Sequence, residues 1–294
     1  MEVLKWHLTD SQQLFAYHSK HFPELFQKYI RKPITYSINS DGFRSEFEFE
    51  PDKNLEVDIY LGCSHTLGSG HYWENTWPFI VSEYTGNKIV NLGIGGSGIE
   101  TAYYNLLKYR NHFKIKNIFH HQPLYPRYDF IDFHTKDFYD WKPFKLFPFQ
   151  PQWDGDSGEY HPYKLSYLQK VLVSDRYMYY NHIKHVMAIQ GIAHDLKVPY
   201  FFHHSWPRGN WSHRTLFEFG VVGVNEANRK IEGIVSTNGN EVPEDELLPR
   251  DGVHFTERHT KSIGFEMIHL KKKFRNGFIH KFPYMEKIFP KNSP

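Results

Sequence analysis

The stretch Asp58–Gly70, which reads DIYLGCSHTLGSG, predicts a buried strand that ends in a tight turn carrying a serine. An apolar, β-prone run stops at Gly62, and Ser64 follows two residues later. In open α/β sheets, ligands bind at the carboxyl ends of the strands, which is where this serine is expected. Taken alone, a serine on a turn more often bonds a neighbouring backbone group than it reacts. The rest of the chain therefore decides whether Ser64 is functional.

The composition is that of a folded globular protein. Of the 294 residues, 40% are hydrophobic and 18% are aromatic, which is enough to bury a large core. The net charge of +2 gives no electrostatic argument for a nucleic acid partner. Cys63 is the sole cysteine, so neither an intrachain disulfide nor a cysteine-based zinc site is expected.

The N-terminal sequence MEVLKWHLTDS lacks a cationic segment followed by an apolar core, so no cleavable signal is expected. No apolar run reaches the roughly 18 residues that a bilayer-spanning helix needs. These patterns predict a soluble protein that is cytoplasmic or part of an assembled particle. They leave its oligomeric state open.

Strands and helices are predicted to alternate after the serine turn. The predicted strands are Lys88–Leu92, Lys116–Gln122, Val198–His203 and a fifth near Ile234–Ser236, and the predicted helices are Glu74–Tyr84 ending at Gly86, one opening at the capping-box pair Ser97 and Glu100, Ser174–Leu196, and a last one from about Thr256 with Ile263, Met267 and Leu270 facing the core. This alternation is typical of an α/β domain with a parallel, doubly wound sheet.

The chain is expected to consist of an N-terminal extension, residues 1–54, packed on an α/β domain, residues 55–294. Two short helices are predicted within residues 9–30 of the extension. Residues 123–173, rich in proline and aromatic side chains, are interpreted as an insertion. Its DGDSGE segment, residues 154–159, lacks the later ligands of a calcium loop and is interpreted as a surface turn.

A second decisive stretch is RDGVHFT, residues 250–256. Asp251 and His254 are three residues apart, so a turn or helical backbone puts both side chains on the same side. A serine hydroxyl is a poor nucleophile until a base removes its proton, and that base needs its other ring nitrogen engaged. Asp251 would orient His254, and His254 would activate Ser64. An Asp-Gly turn followed by histidine is common by itself, but together with Ser64 it predicts a catalytic triad.

Three blocks in this order, GCSHTLG (62–68), VNLGIGGSG (90–98) and DGVH (251–254), resemble those of the SGNH or GDSL hydrolase superfamily. The segments ENTWPFIVSEYTG and NSDGFR (39–44) add to the resemblance, which spans residues 39 to about 270. It implies a three-layer α/β/α sandwich around a five-stranded parallel sheet, as in flavodoxin-like folds. It also implies a carboxylic ester hydrolase, with Ser64 as the nucleophile and Asp251 and His254 completing the triad.

Two departures from the family pattern stand out. The first block usually reads Gly-Asp-Ser, and here Cys63 replaces the aspartate without changing the nucleophile. The third block, Gly-x-Asn-Asp, is absent, because the strand end reads HHQPLYPR at residues 120–127. Losing one oxyanion donor can cost roughly 10²- to 10³-fold in rate.

The resemblance implies an oxyanion hole built from the backbone of Ser64 and a glycine of the second block. Gly95 is the preferred glycine, with Gly96 as the alternative. The family's third donor is an asparagine side chain. In its place, Gln122 could present an amide, or His121 a ring N–H.

A rival interpretation of the second block is a dinucleotide site, because Gly93, Gly95 and Gly98 satisfy G-x-G-x-x-G. However, the motif follows the second strand and the next strand end lacks an acidic residue. Asn91 and Gly93 are instead expected to shape the turn. The 20 histidines show no HExxH or similar spacing, and neither a cofactor nor a metal is expected.

The predicted substrate is a small acyl ester, for instance an O-acetylated carbohydrate. Aromatic side chains of residues 123–173 would stack on its sugar rings. The alternative function is a binding or structural module on the same fold, with catalysis weakened by the loss of the third block.

Overall fold

The computed structural model of the chain describes residues 1–7, 10, 12–121, 128–130, 147–149, 175–203, 250 and 257–273. In chain order its strands and helices are β1 (Glu2–Leu4), α1 (Gln12–His21), α2 (Pro23–Arg31), β2 (Tyr36–Ile38), β3 (Asp52–Leu61), α3 (Ser64–Leu67), α4 (Trp77–Thr85), β4 (Lys88–Asn91), α5 (Ile99–Tyr109), β5 (Phe113–His121), β6 (Tyr128–Phe130), β7 (Phe147–Phe149), α6 (Asp175–Asp195), β8 (Tyr200–His203) and α7 (Glu257–Lys273). The predicted strands and helices that fall on described residues are present as strands and helices, respectively.

Four parallel strands form the main sheet, in the order β4-β3-β5-β8. The first strand of the chain to enter this sheet, β3, pairs with β4 on one side and β5 on the other. The chain is therefore an α/β protein with a parallel sheet, as predicted. The fifth strand expected near Ile234–Ser236 lies outside the described residues, so the five-stranded sandwich stays a prediction.

Each face of the sheet carries its own core, because successive side chains of a strand point to opposite faces. On one face, Val57 and Ile59 of β3 pack in a cluster that includes α5 and α6. On the other face, Tyr60 of β3 and Phe119 of β5 pack with α4 and α7. The residues of α7 predicted to face the core, Ile263, Met267 and Leu270, are buried there.

Local hydrogen bonds and backbone conformation set the ends of the helices. One predicted helix cap differs from the structure. The Thr76 hydroxyl accepts from the Phe79 N–H and caps α4, which ends at Gly86 with a φ of 73°, as predicted. The predicted cap of α5 is wrong, because the N-cap is Gly98 rather than Ser97. The Ser97 hydroxyl instead donates to the Ile94 carbonyl at 2.9 Å and so closes the preceding turn.

The N-terminal segment has a small core of its own. The two predicted helices are present as α1 and α2, and β1 and β2 pair antiparallel beside them. The buried side chains of this core are Phe26, Tyr29, Ile34, Tyr36 and Ile38.

Most of the expected insertion at residues 123–173, including DGDSGE, lies outside the described residues. Within it, β6 and β7 form an antiparallel pair. Among the helices that the structure describes, none has the length and apolar character needed to cross a membrane.

Candidate active site

Ser64 is the first residue of α3 and lies at the carboxyl end of β3, where the sequence predicts it. The turn between strand and helix depends on Gly62, whose φ of 147° disfavours any residue with a side chain. A Cβ there would lie 2.1 Å from Thr66 Oγ1 and 2.5 Å from the His121 carbonyl oxygen. This turn holds Ser64 buried at the carboxyl end of β3.

The glycine-rich turn of the second block packs directly on the serine turn. A Cβ on Gly93 would lie 2.7 Å from the backbone nitrogen of Leu67, so only glycine allows the approach. The Asn91 side chain donates to the Thr66 carbonyl at 2.8 Å and accepts from the Gly93 N–H at 3.0 Å. Asn91 and Gly93 thus shape this turn, as expected.

The backbone N–H groups of Ser64 and Gly95 are the predicted oxyanion donors. Ser64 opens a helix, and the first N–H groups of a helix have no intrahelical acceptor. Within the described ranges, the structure gives no backbone acceptor to the N–H of Ser64 or of Gly95. The Ser64 hydroxyl lies 4.0 Å from Cys63 Sγ. Gln122, the third predicted donor, lies outside the described residues.

Asp251 and His254 also lie outside the described residues, but Arg250, directly before them, is described and buried. Its backbone N–H donates to the Gly70 carbonyl at 2.9 Å. Its guanidinium binds the buried Asp10 carboxylate, with Nε 3.0 Å from Oδ2, and lies 3.8 Å over the Trp6 ring. Its Nη1 donates to the Ile34 carbonyl at 3.0 Å. The N-terminal segment therefore holds Arg250, the residue directly before the DGVH block.

Arg44, the last residue of the NSDGFR segment, also binds the loop that follows Ser64. Its guanidinium donates to the carbonyl oxygens of Gly68 at 2.7 Å and His71 at 3.0 Å. Burial lowers the pKa of Arg44 to about 10, so the side chain is still charged at neutral pH. The sequence predicted Asp10 as a helix-capping residue and assigned no role at the site to Arg44, Arg250 or Asp10. The NSDGFR resemblance was the one signal that pointed to Arg44.

A line of hydrogen bonds joins the carboxyl ends of β5 and β8 to helix α7. His121 and His203 end β5 and β8 and pair in register, with their Nδ1 atoms 3.1 Å apart. The Nε2 of His203 lies 2.9 Å from Oε2 of Glu266 on α7. Sequence reasoning noticed both histidines but missed their pairing and Glu266. In the part of the chain that the structure describes, no cluster of three or more His, Cys, Asp or Glu side chains is arranged to hold a metal.

No protein-family model matches the chain, and no curated protein matches its sequence. Several solved structures are similar in fold. One is a protein from Desulfitobacterium hafniense DCB-2 described as lipolytic and of the G-D-S-L family, at 12% identity and a TM-score of 0.39, with 74% of this chain and 99% of that chain covered.

A second is a two-domain esterase active on acetylated mannans, at 12% identity and a TM-score of 0.39, with 82% of this chain and 52% of that chain covered. A third is a carbohydrate esterase family 2 enzyme with a carbohydrate binding domain, from Corynascus thermopiles (Myceliophthora fergusii), at 12% identity and a TM-score of 0.37, with 76% of this chain and 67% of that chain covered.

Proposed function

We propose that the chain is a serine hydrolase that cleaves carboxylic esters through an acyl-enzyme, with Ser64 as nucleophile, His254 as its base and Asp251 as the group that orients His254. One observation carries this proposal. The hydrogen bond from the Arg250 N–H to the Gly70 carbonyl attaches the residue directly before the DGVH block to the loop that begins at Ser64.

The loop itself is tightly folded, which limits how far His254 lies from the serine. The N–H groups of Gly68 and Ser69 both donate to the Ser64 carbonyl, at 2.9 and 3.0 Å, so Gly70 is one residue beyond a direct contact with Ser64. Four residues of extended chain span at most about 14 Å. Arg250 and His254 are four residues apart, so the proposal requires only that a turn between them direct His254 toward Ser64.

The expected reaction follows from the roles of these groups. His254 takes the proton of the Ser64 hydroxyl as the oxygen attacks the ester carbonyl, and it then gives that proton to the departing alcohol. The N–H groups of Ser64 and Gly95, with the Gln122 amide as a third donor, hold the negative oxygen of the tetrahedral intermediate. Water then releases the acyl group from Ser64, and His254 acts as the base again.

The proposed substrate is a small acyl ester, with an O-acetylated carbohydrate as the specific case. It rests on the family resemblance of the three sequence blocks. The aromatic content of residues 123–173 also supports it, because aromatic faces pack well against sugar rings.

The test is labelling with a fluorophosphonate probe, combined with turnover of p-nitrophenyl acetate. Wild type should be labelled and active, and Ser64→Ala should lose labelling and at least about 10³-fold in turnover. Ser82→Ala is a matched control, because Ser82 is a buried serine of α4 whose hydroxyl donates to the Phe79 carbonyl. A wild type that is neither labelled nor active would refute the proposal and favour the binding module.

A further inference from the structure

The hydroxyl of Tyr36 joins the N-terminal segment to the loop that follows Ser64. Its oxygen accepts from the Gly70 N–H at 2.9 Å, and its hydrogen goes to Oδ2 of Asp10. The Tyr36 side chain is fully buried. Burial, followed by the Asp10 carboxylate, raises the pKa of Tyr36, so the phenol keeps the single hydrogen that it can donate. Asp10 therefore fixes the direction in which this hydroxyl faces Gly70.

Gly70 is held through both of its backbone polar groups. Its N–H donates to the Tyr36 hydroxyl, and its carbonyl accepts from the Arg250 N–H at 2.9 Å. Its φ of 74° lies in the left-handed region that favours glycine. The two partners come from distant parts of the sequence. Gly70 is thus the residue at which the N-terminal segment and the residue before the DGVH block both bind this loop.

A shift of Gly70 would be passed to Ser64 through the backbone of the loop. The N–H groups of Gly68 and Ser69 both donate to the Ser64 carbonyl, at 2.9 and 3.0 Å. The residue directly before Gly70 is therefore bonded to Ser64 itself. Moving a reacting group by about 1 Å can cost roughly 10²-fold in rate, so the position of Gly70 matters for the hydroxyl and the N–H of Ser64.

We propose that Tyr36 is a positioning residue of the hydrolase, whose hydroxyl, oriented by Asp10, holds Gly70 and through it the reacting position of Ser64. This inference rests on the proposed function. Arg44 gives the loop a further attachment, because its guanidinium donates to the Gly68 carbonyl at 2.7 Å. Loss of the Tyr36 hydroxyl should therefore loosen the loop without releasing it, and we expect about a tenfold slower reaction of Ser64.

Tyr36→Phe removes the hydroxyl and leaves the other contacts of this cluster in place. The ring keeps its position against the Arg44 guanidinium, 4.4 Å from the ring centroid. Asp10 keeps its bond to the Nε of Arg250. The variant therefore isolates the hydrogen bond to Gly70 from the packing of the buried ring.

The experiment measures both the rate constant and the final stoichiometry of fluorophosphonate labelling, under conditions in which circular dichroism shows a folded protein. Loss of folded protein lowers the number of sites that are labelled, whereas a misplaced Ser64 lowers the rate constant at each site. Tyr36→Phe should reach the wild-type stoichiometry with a rate constant about tenfold lower. For p-nitrophenyl acetate, kcat should fall by a similar factor while KM stays within about twofold.

Tyr200→Phe is the matched control, because it also deletes the hydrogen bond of one tyrosine hydroxyl, here to His120, and leaves the contacts of Gly70 intact. It should keep both the wild-type rate constant and the wild-type stoichiometry. An equal fall of the rate constant in the two variants would overturn the inference, because the effect would then not depend on Gly70.

A wild-type rate constant in Tyr36→Phe, with or without a loss of labelled sites, would give Tyr36 a structural role alone and would leave the hydrolase intact. A wild type that is not labelled would remove the hydrolase and, with it, the role of Tyr36. Amide hydrogen exchange of the wild type is a test that needs no variant. The Gly70 amide should be protected, and exchange as fast as in an unfolded chain would also overturn the inference.

Discussion

His120 and His121 are neighbours in β5 and both are fully buried. They point to opposite faces of the sheet and have different hydrogen-bond partners there. His120 bonds the hydroxyl of Tyr200 at 2.8 Å, and burial lowers its pKa to about 3, so it is a neutral part of the core. His121 is instead connected through His203 to the carboxylate of Glu266. Burial alone therefore keeps His120 neutral, whereas His121 belongs to a line of polar contacts that ends at a carboxylate.

The two buried arginines differ in the same way. Arg44 donates to backbone carbonyl groups, and burial lowers its pKa to about 10. Arg250 is bonded to the carboxylate of Asp10. Both arginines nevertheless contact the loop that follows Ser64, Arg44 through the Gly68 and His71 carbonyls and Arg250 through its backbone N–H and the Gly70 carbonyl.

The largest loss of stability is expected when a buried acid loses the base that is paired with it. Arg250→Met leaves the Asp10 carboxylate buried without its guanidinium partner, which should lower the free energy of unfolding by about 3–5 kcal/mol. Arg44→Met leaves only carbonyl oxygens without a donor and should cost less, about 1–3 kcal/mol. Urea unfolding at neutral pH compares the two, and a greater loss in Arg44→Met would reverse the distinction.

A smaller effect is expected from the pH dependence of His120. Its folded pKa of about 3 lies below the unfolded value of 6.5, so the unfolded chain binds the proton first as the pH falls. The stability contributed by neutral His120 is complete above pH 6.5 and is lost toward pH 3. Between pH 6 and 4.5 the loss should be about 2 kcal/mol.

The measurement is urea unfolding at several pH values for the wild type and for His120→Phe. The variant should show a shallower fall of unfolding free energy over this range, because it lacks the group that titrates in the unfolded chain. Parallel curves for the two proteins would show that His120 is not the neutral core histidine described above.

The smallest effect is expected for Tyr200→Phe. It deletes a single neutral hydrogen bond to His120, so the free energy of unfolding should fall by about 1 kcal/mol. Ester turnover should be unchanged, because this bond lies on the face of the sheet away from His121. Thermal unfolding and p-nitrophenyl acetate turnover measure the two effects, and a loss of turnover of about tenfold or more would contradict the distinction between the two faces.

Local sequence was sufficient to predict the serine turn. An apolar strand run, Gly62 and a helical stretch after Ser64 are contiguous in the chain, and the backbone chemistry of glycine needs no distant partner. The same holds for Gly86, which ends α4 as predicted. The capping-box prediction at Ser97 failed because the hydroxyl bonds the Ile94 carbonyl of the turn before it, a competition that spacing alone does not reveal.

Residue patterns alone were enough to predict the alternation of strands and helices, the position of Ser64 at a strand end, and a glycine-rich turn after the second strand. The pairing of buried bases with particular acids is visible only in the folded chain. Asp10 and Arg250 are 240 residues apart, His121 and His203 are 82 apart, and His203 and Glu266 are 63 apart. Such pairs leave no periodic trace in the chain, because their contact depends on strand order and helix packing rather than on any local pattern.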